Sequence, residues 1–204
     1  MSQAVTKIKS RIKSVSGAYK VTSAMKLVST VKLKQWKNRM IAYKEYIDEV
    51  NDIINAILSR LENPNLPFMN INDAYKNLYI VISSTLGLCG SYNNNIFKVS
   101  DVAIKAEDEA IILGGKGLAH YKNGEFTQIP GFVEYSSVND KTLVEKLINF
   151  VLDEYQKGTY KEVHIIYSEY KNSLVFLAKD FALLPFKFEV KETVGYPPIM
   201  EPSY

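Results

Sequence analysis

The chain has 204 residues, 47% hydrophobic and 23% charged, with a net charge of +3, a balance that excludes both an intrinsically disordered chain and a membrane-embedded one. Its longest apolar runs, around residues 78–82 and 181–184, fall far short of the roughly 18 residues a spanning helix needs, and the basic N-terminus lacks the apolar stretch of a secretory signal. The single cysteine, Cys89, cannot form an internal disulfide, so the reading is a soluble cytoplasmic protein.

The first element is a long helix. From Ser2 to Asn63 there is no proline and one glycine, Gly17, which permits about 60 helical residues, or about 90 Å at 1.5 Å per residue. Steps of four and three from Ile8 trace a seam through Ile12, Val15, Tyr19, Thr22, Lys26, Ser29, Leu33, Trp36, Met40, Tyr43, Ile47, Val50, Ile54, Ile57 and Leu61. Thirteen of these sixteen positions are apolar or aromatic. A 3.5-residue period held that long predicts a left-handed coiled coil with another helix. The exceptions, Thr22, Lys26 and Ser29, are consecutive along the seam. They are either a polar layer that sets register or a place where the shaft faces a different protein. On the second reading Met25 and Val28 offer a small apolar surface among Lys20, Lys26 and Lys32.

Charge is distributed unevenly. Residues 1–44 hold eleven basic side chains and no acid, Glu45 being the first, whereas the rest holds fourteen bases against 22 acids. A cationic arm on an anionic body calls for a polyanionic partner. Nucleic acid is not expected, because the aromatic residues among the cations (Tyr19, Trp36 and Tyr43) are already used by the seam.

Pro64 and Pro67 end the helix, and residues 64–76 read as a linker. Beyond it the chain predicts strands at 78–84, 109–113 and 162–170, helices at 95–107 and 140–157, and two last strands at 174–179 and 186–191. This alternation argues for an open α/β body, residues 77–204, with a mostly parallel sheet.

Strand, glycine-rich turn and helix is how a nucleotide site begins, so residues 83–93 (Ser-Ser-Thr-Leu-Gly-Leu-Cys-Gly-Ser-Tyr-Asn) must be tested as a phosphate loop. The turn holds no GxxxxGK[ST], no GxGxxG and no lysine. Gly114-Gly115-Lys116-Gly117 lacks the spacing and the Ser/Thr for magnesium. Both read as structural turns. Cys89 with His120 or His164 as base is the nucleophile reading, against a small packed thiol. No metal-ligand cluster or catalytic carboxylate pair is present in the sequence. The enzyme alternative is a small α/β nucleotide hydrolase built on the 87–93 turn.

Three segments together carry a resemblance. Residues 8–15 (Ile-Lys-Ser-Arg-Ile-Lys-Ser-Val), continued by 21–28 (Val-Thr-Ser-Ala-Met-Lys-Leu-Val), resemble the opening helix of the gamma subunits of F-type ATP synthases. Residues 87–96 (Gly-Leu-Cys-Gly-Ser-Tyr-Asn-Asn-Asn-Ile) resemble the glycine turn after that family's first strand, and 198–203 (Pro-Ile-Met-Glu-Pro-Ser) its closing motif.

The resemblance implies a non-catalytic central shaft in a rotary motor, without a cofactor, and a Rossmann-like body. Implied partners are the alpha and beta subunits of the catalytic hexamer, the epsilon subunit and a membrane rotor ring, in a complex peripheral to the cytoplasmic membrane. An acidic loop of each catalytic subunit would push on the shaft, and Lys20, Met25, Lys26 and Lys32 are the residues expected to meet it. Gly87, Gly90 and Asn93 are expected to shape the turn. Thr85-Leu86 replaces the Asp-Arg pair usual before the turn, and the chain stops at Tyr204, ahead of the family's second long helix. That helix, expected to pair with residues 33–61, lies outside this chain or is supplied by another subunit. A gamma-like shaft of a specialised hydrolytic motor, serving gliding or surface machinery, is the alternative.

Overall fold

The computed structural model describes residues 2–58, 68–132, 141–172 and 175–187. The chain divides into a helical unit and a body, Asn63–Phe188.

The helical unit contains α1, Ser2–Leu58, 57 residues without a break. No proline removes a ladder hydrogen bond within it. Its polar seam residue Thr22 folds back on the helix, its hydroxyl donating to the Ala18 and Tyr19 carbonyls at 2.9 and 3.0 Å. Thr30 does the same to Lys26 at 2.8 Å. The seam residues Ile8, Ile12, Val15, Leu33, Met40 and Ile47 are exposed, whereas Trp36, Val50 and Ile54 are partly covered. Leu61 lies outside the described residues.

In chain order the body contains β1 (Leu78–Ile82), α2 (Tyr92–Ala103), β2 (Glu109–Leu113), α3 (Gly115–His120), β3 (Thr127–Gln128), α4 (Lys141–Gln156), β4 (Val163–Tyr170) and β5 (Phe176–Leu184). The sheet order is β3-β2-β1-β4-β5. All pairings are parallel except β4 with β5. Strand residues alternate between two apolar layers, as a period of two requires. Leu78, Ile80, Ile111 and Leu113 face Val151 and Tyr155 of α4, while Tyr79, Val81, Ala110 and Ile112 face Ile96 and Phe97 of α2. Both faces of the sheet are therefore buried, which is why β1 and β2 read as continuous apolar runs.

The structure differs from the sequence expectation in five places. The stretch expected as linker is fastened to the body. The Asn72 side-chain amide donates to the Tyr155 and Tyr160 carbonyls at 2.8 and 2.9 Å, and the Tyr155 hydroxyl donates to the Asn70 carbonyl at 2.7 Å. The first strand stops at Ile82: the Ser83 N–H still reaches the Leu113 carbonyl at the end of β2, but the Ser84 N–H is taken by the Asn93 side chain. Two short elements, α3 and β3, are additional. The strand expected at 174–179 runs on to Leu184. Of the strand expected at 186–191, only Phe186 and Lys187 are described, and they lie outside any strand; the rest is outside the described residues.

Candidate functional site

Connections from β1 lead through α2 to β2 on one side, while β4 lies on the other side of β1. The strand order thus reverses at the carboxyl end of β1, where doubly wound sheets open a crevice. The glycine turn emerges there. A cleft of about 450 Å³ beside it is lined by Cys89, Ser91, Tyr92, Asn95, Ser168, Val175 and Phe176. None of these is a cation, so the cleft walls offer a phosphate no counter-charge. Ser91 stands at the N-cap of α2 without a side-chain capping bond.

Side chains set the shape of the turn. Asn93 grips Ser84 at both ends of its amide, Oδ1 accepting from the backbone N–H at 3.0 Å and Nδ2 donating to the hydroxyl at 2.8 Å. The Ser84 hydroxyl donates in turn to the Leu86 carbonyl at 2.6 Å. Gly90 has φ +59° and Leu88 φ +62°, a left-handed backbone that costs a branched residue such as leucine about 1–2 kcal/mol. Leu88 is 94% exposed. Gly87 lies outside that backbone region, and a Cβ there would make an ordinary contact with Lys116 at 3.5 Å.

Cys89, expected as a packed thiol, is exposed. Its sulfur accepts from Asn93 Nδ2 at 3.2 Å, because the turn carries it outward instead of into either apolar layer. Neither histidine reaches it. His120 stacks on Phe97 with ring centroids 4.0 Å apart, and His164 lies between Asp180 and Glu162. No group of three or more His, Cys, Asp or Glu that could hold a metal occurs among the described residues.

The second glycine turn is tied to the first. The buried Ser83 hydroxyl donates to the Leu113 carbonyl at 2.9 Å and accepts from the Gly117 N–H at 2.9 Å, and Lys116 N–H donates to the Ser84 carbonyl at 3.0 Å. Gly-Gly-Lys-Gly is thus the latch between β2, α3 and β1. The role of Ser83 was missed from sequence; its one signal was a hydroxyl ending an apolar strand.

On α1, Lys20, Met25, Lys26 and Lys32 are all exposed. The three lysines make no ion pair with a described residue. Lower on the helix, Trp36, Met40, Tyr43 and Ile47 line an open apolar groove, with Arg39 over the Trp36 ring at 4.9 Å. No helix among the described residues is long and apolar enough to cross a membrane.

The chain thus combines a long helix bearing a largely exposed apolar seam with a doubly wound body. The family model for ATP synthase matches residues 4–203, and the chain belongs to the ATP synthase gamma-chain family. It is 36% identical over 178 residues to the ATP synthase gamma chain of Mycoplasma mobile, covering 84% of this chain and 61% of that one. The gamma chain of Clostridium acetobutylicum is 30% identical over 200 residues, covering 95% and 71%, and that of Ureaplasma parvum 34% over 188 residues, covering 88% and 63%. The chain thus spans less than two thirds of the Mycoplasma and Ureaplasma relatives. The fold resembles a chain in the central stalk and c-ring structure of the Tetrahymena thermophila mitochondrial ATP synthase, with a TM-score of 0.54 at 20% identity, covering 81% of this chain and 72% of that one.

Proposed function

We propose that the chain is the central shaft of a rotary ATPase, transmitting torque between a catalytic hexamer of alpha and beta subunits and the rest of the motor. One observation carries the reading: a single helix of 57 residues bears an exposed apolar seam and, over its first three quarters, cations with no acid among them. An amphipathic helix of this length draws its stability from packing, so the seam calls for a helical companion and the cations for an acidic surface. Lys20, Lys26 and Lys32, with Met25 among them, are the contact with the head. The epsilon subunit and, in a synthase, a membrane rotor ring are the remaining partners, and ATP chemistry stays in the head.

The test is single-molecule rotation of a reconstituted head carrying Lys20→Glu, Lys26→Glu and Lys32→Glu together. Hydrolysis should uncouple from rotation, with an effect that shrinks as salt screens the contact. Wild-type torque and rate at low salt would remove the electrostatic part of the proposal. Calorimetry on the isolated chain addresses catalysis: micromolar ATP affinity that Gly90→Val abolishes would favour the hydrolase reading. Mass spectrometry of co-purifying subunits separates a synthase, which brings a proton-conducting ring, from a specialised hydrolytic motor, which does not.

A further inference from the structure

Among the described residues the outer strand β5 joins the sheet only through β4, and that ladder has a fault. The register shifts between Val163 and His164: Val163 pairs with Leu184, but His164 pairs with Ala182, leaving Leu183 without a partner. A bulge of this kind interrupts the backbone hydrogen bonds and weakens pairing locally. The side chain at the fault is an imidazole held on both sides. His164 Nδ1 lies 2.8 Å from Asp180 Oδ1 on β5, and Nε2 lies 3.4 Å from Glu162 Oε2, just before β4. The ring also packs on Tyr79 of β1, centroids 4.9 Å apart, and the His164 side chain is 15% exposed.

We propose that His164 is a proton-operated clasp that holds β5 to the sheet at the bulge. Ionised carboxylates only accept hydrogen bonds, and a neutral imidazole has one N–H to give. Both contacts are therefore satisfied only by the imidazolium. The groups that face it from neighbouring elements are Glu162, Asp180 and Tyr79, with Asp108 beyond Tyr79, whose hydroxyl is pushed up to about 12 by burial and then by Asp108, Asp180 and Glu162. No lysine or arginine among the described residues pairs with Asp180 or Glu162, so the imidazolium is their counter-charge. Removal of its proton leaves one carboxylate facing a ring lone pair and leaves the like charges of Glu162 and Asp180 without the cation between them. The contribution is full while both ring nitrogens carry protons and is lost with the second proton. The clasp makes the grip on an outer strand depend on the protonation state of one ring.

The experiment uses the full chain labelled with ¹⁵N. Ring-nitrogen spectra between pH 5.5 and 8.5 report the protonation of His164, and amide exchange, corrected for its intrinsic pH dependence, reports the opening of β5. Both ring nitrogens should carry protons at the acid end. As His164 deprotonates, protection across residues 180–184 should fall about tenfold, the worth of one charge-assisted hydrogen bond, while Ile111 in the sheet centre stays protected. His164→Gln should remove the pH dependence, and His120→Gln should leave it intact. If His164→Gln does not fold, Asp180→Asn, which keeps a polar side chain and deletes the charge, makes the same comparison. A single neutral tautomer throughout the range would overturn the proposal, as would protection at 180–184 that ignores pH or responds equally in the variants.

Discussion

Gly117 donates its N–H to the buried hydroxyl of Ser83 at 2.9 Å, and a Cβ on Gly117 would fall only 2.6 Å from that same oxygen. The hydrogen bond and the missing side chain are one arrangement. At Gly114 the restriction is doubled, because φ is +100° and a Cβ would stand 2.3 Å from the Ser83 carbonyl oxygen. Backbone at that distance cannot yield as a flexible side chain would.

Alanine at Gly114 or Gly117 is accordingly expected to destabilise the body by about 3 kcal/mol or more, combining overpacking with strain. Gly87→Ala, which meets only the flexible end of Lys116, should cost well under about 1 kcal/mol. Urea unfolding followed by near-ultraviolet circular dichroism measures all three. Equal losses at Gly87 and Gly114 would contradict the geometry.

Asn93→Ala should cost about 1–3 kcal/mol, since it leaves the Ser84 N–H unpaired and deprives the Ser84 hydroxyl of the donor it accepts from. The loss should show first as faster amide exchange at Ser84 and through the 85–90 turn. Asn93→Asp keeps the acceptor for the backbone N–H and loses the donor, so its cost should be intermediate.

Acid sensitivity is expected at the other end of the sheet. Lys76 Nζ lies 2.5 Å from Glu109 Oε1, and the Tyr160 hydroxyl donates to Oε2 at 2.5 Å. Burial would raise the Glu109 carboxyl, but the hydrogen bonds from Lys76 and Tyr160 outweigh it and hold the group below 4.5. A carboxylate lowered on folding stabilises the fold above its unfolded value and loses that contribution as pH falls through the folded one. Stability should therefore decline below pH 4.5, and Lys76→Met should flatten the decline in denaturant midpoints measured from pH 6 to 3.

Much of this fold is legible in the sequence, and the parts that are not share a cause. Leu78 to Ile82 and Glu109 to Leu113 are apolar runs flanked by turn residues, and α1 is marked by the absence of proline, so local pattern suffices. Residues 115–120 begin Gly-Lys-Gly, with two poor helix formers in three, and become α3 because Ser84 and Ser83, more than thirty positions away, receive the N–H groups of Lys116 and Gly117. The outer strand looks broken at Lys179 and Asp180, yet those charges are absorbed by Glu169 and His164 across the ladder, so β5 continues. The turn was visible through Gly90 and Asn93, but its strained and exposed Leu88 was not, since nothing in its type asks for a left-handed backbone. The lysines proposed to face a partner are visible as a run of cations, and their exposure adds no further sign of what they meet.

Gly17 lies in mid-helix with nothing within 4 Å of where a Cβ would be. Gly17→Ala should stabilise α1 by about 1 kcal/mol, read as helical content and melting temperature in the isolated chain. If the same substitution impairs assembly with the head, a partner backbone approaches the helix at that point.

The order of charges along α1 has a consequence for the helix itself. A helix carries partial positive charge at its amino end and negative at its carboxyl end, so acids favour the first turn and bases the last. Here the first turn has no acid and the last no base, cations crowd the amino half, and Glu45, Asp48, Glu49 and Asp52 lie toward the carboxyl end. The arrangement runs against the macrodipole and also sets lysine beside lysine, so α1 in isolation is electrostatically frustrated. An anionic surface along the amino half would relieve both penalties at once, so the proposed contact with the head would stiffen the helix as well as capture it.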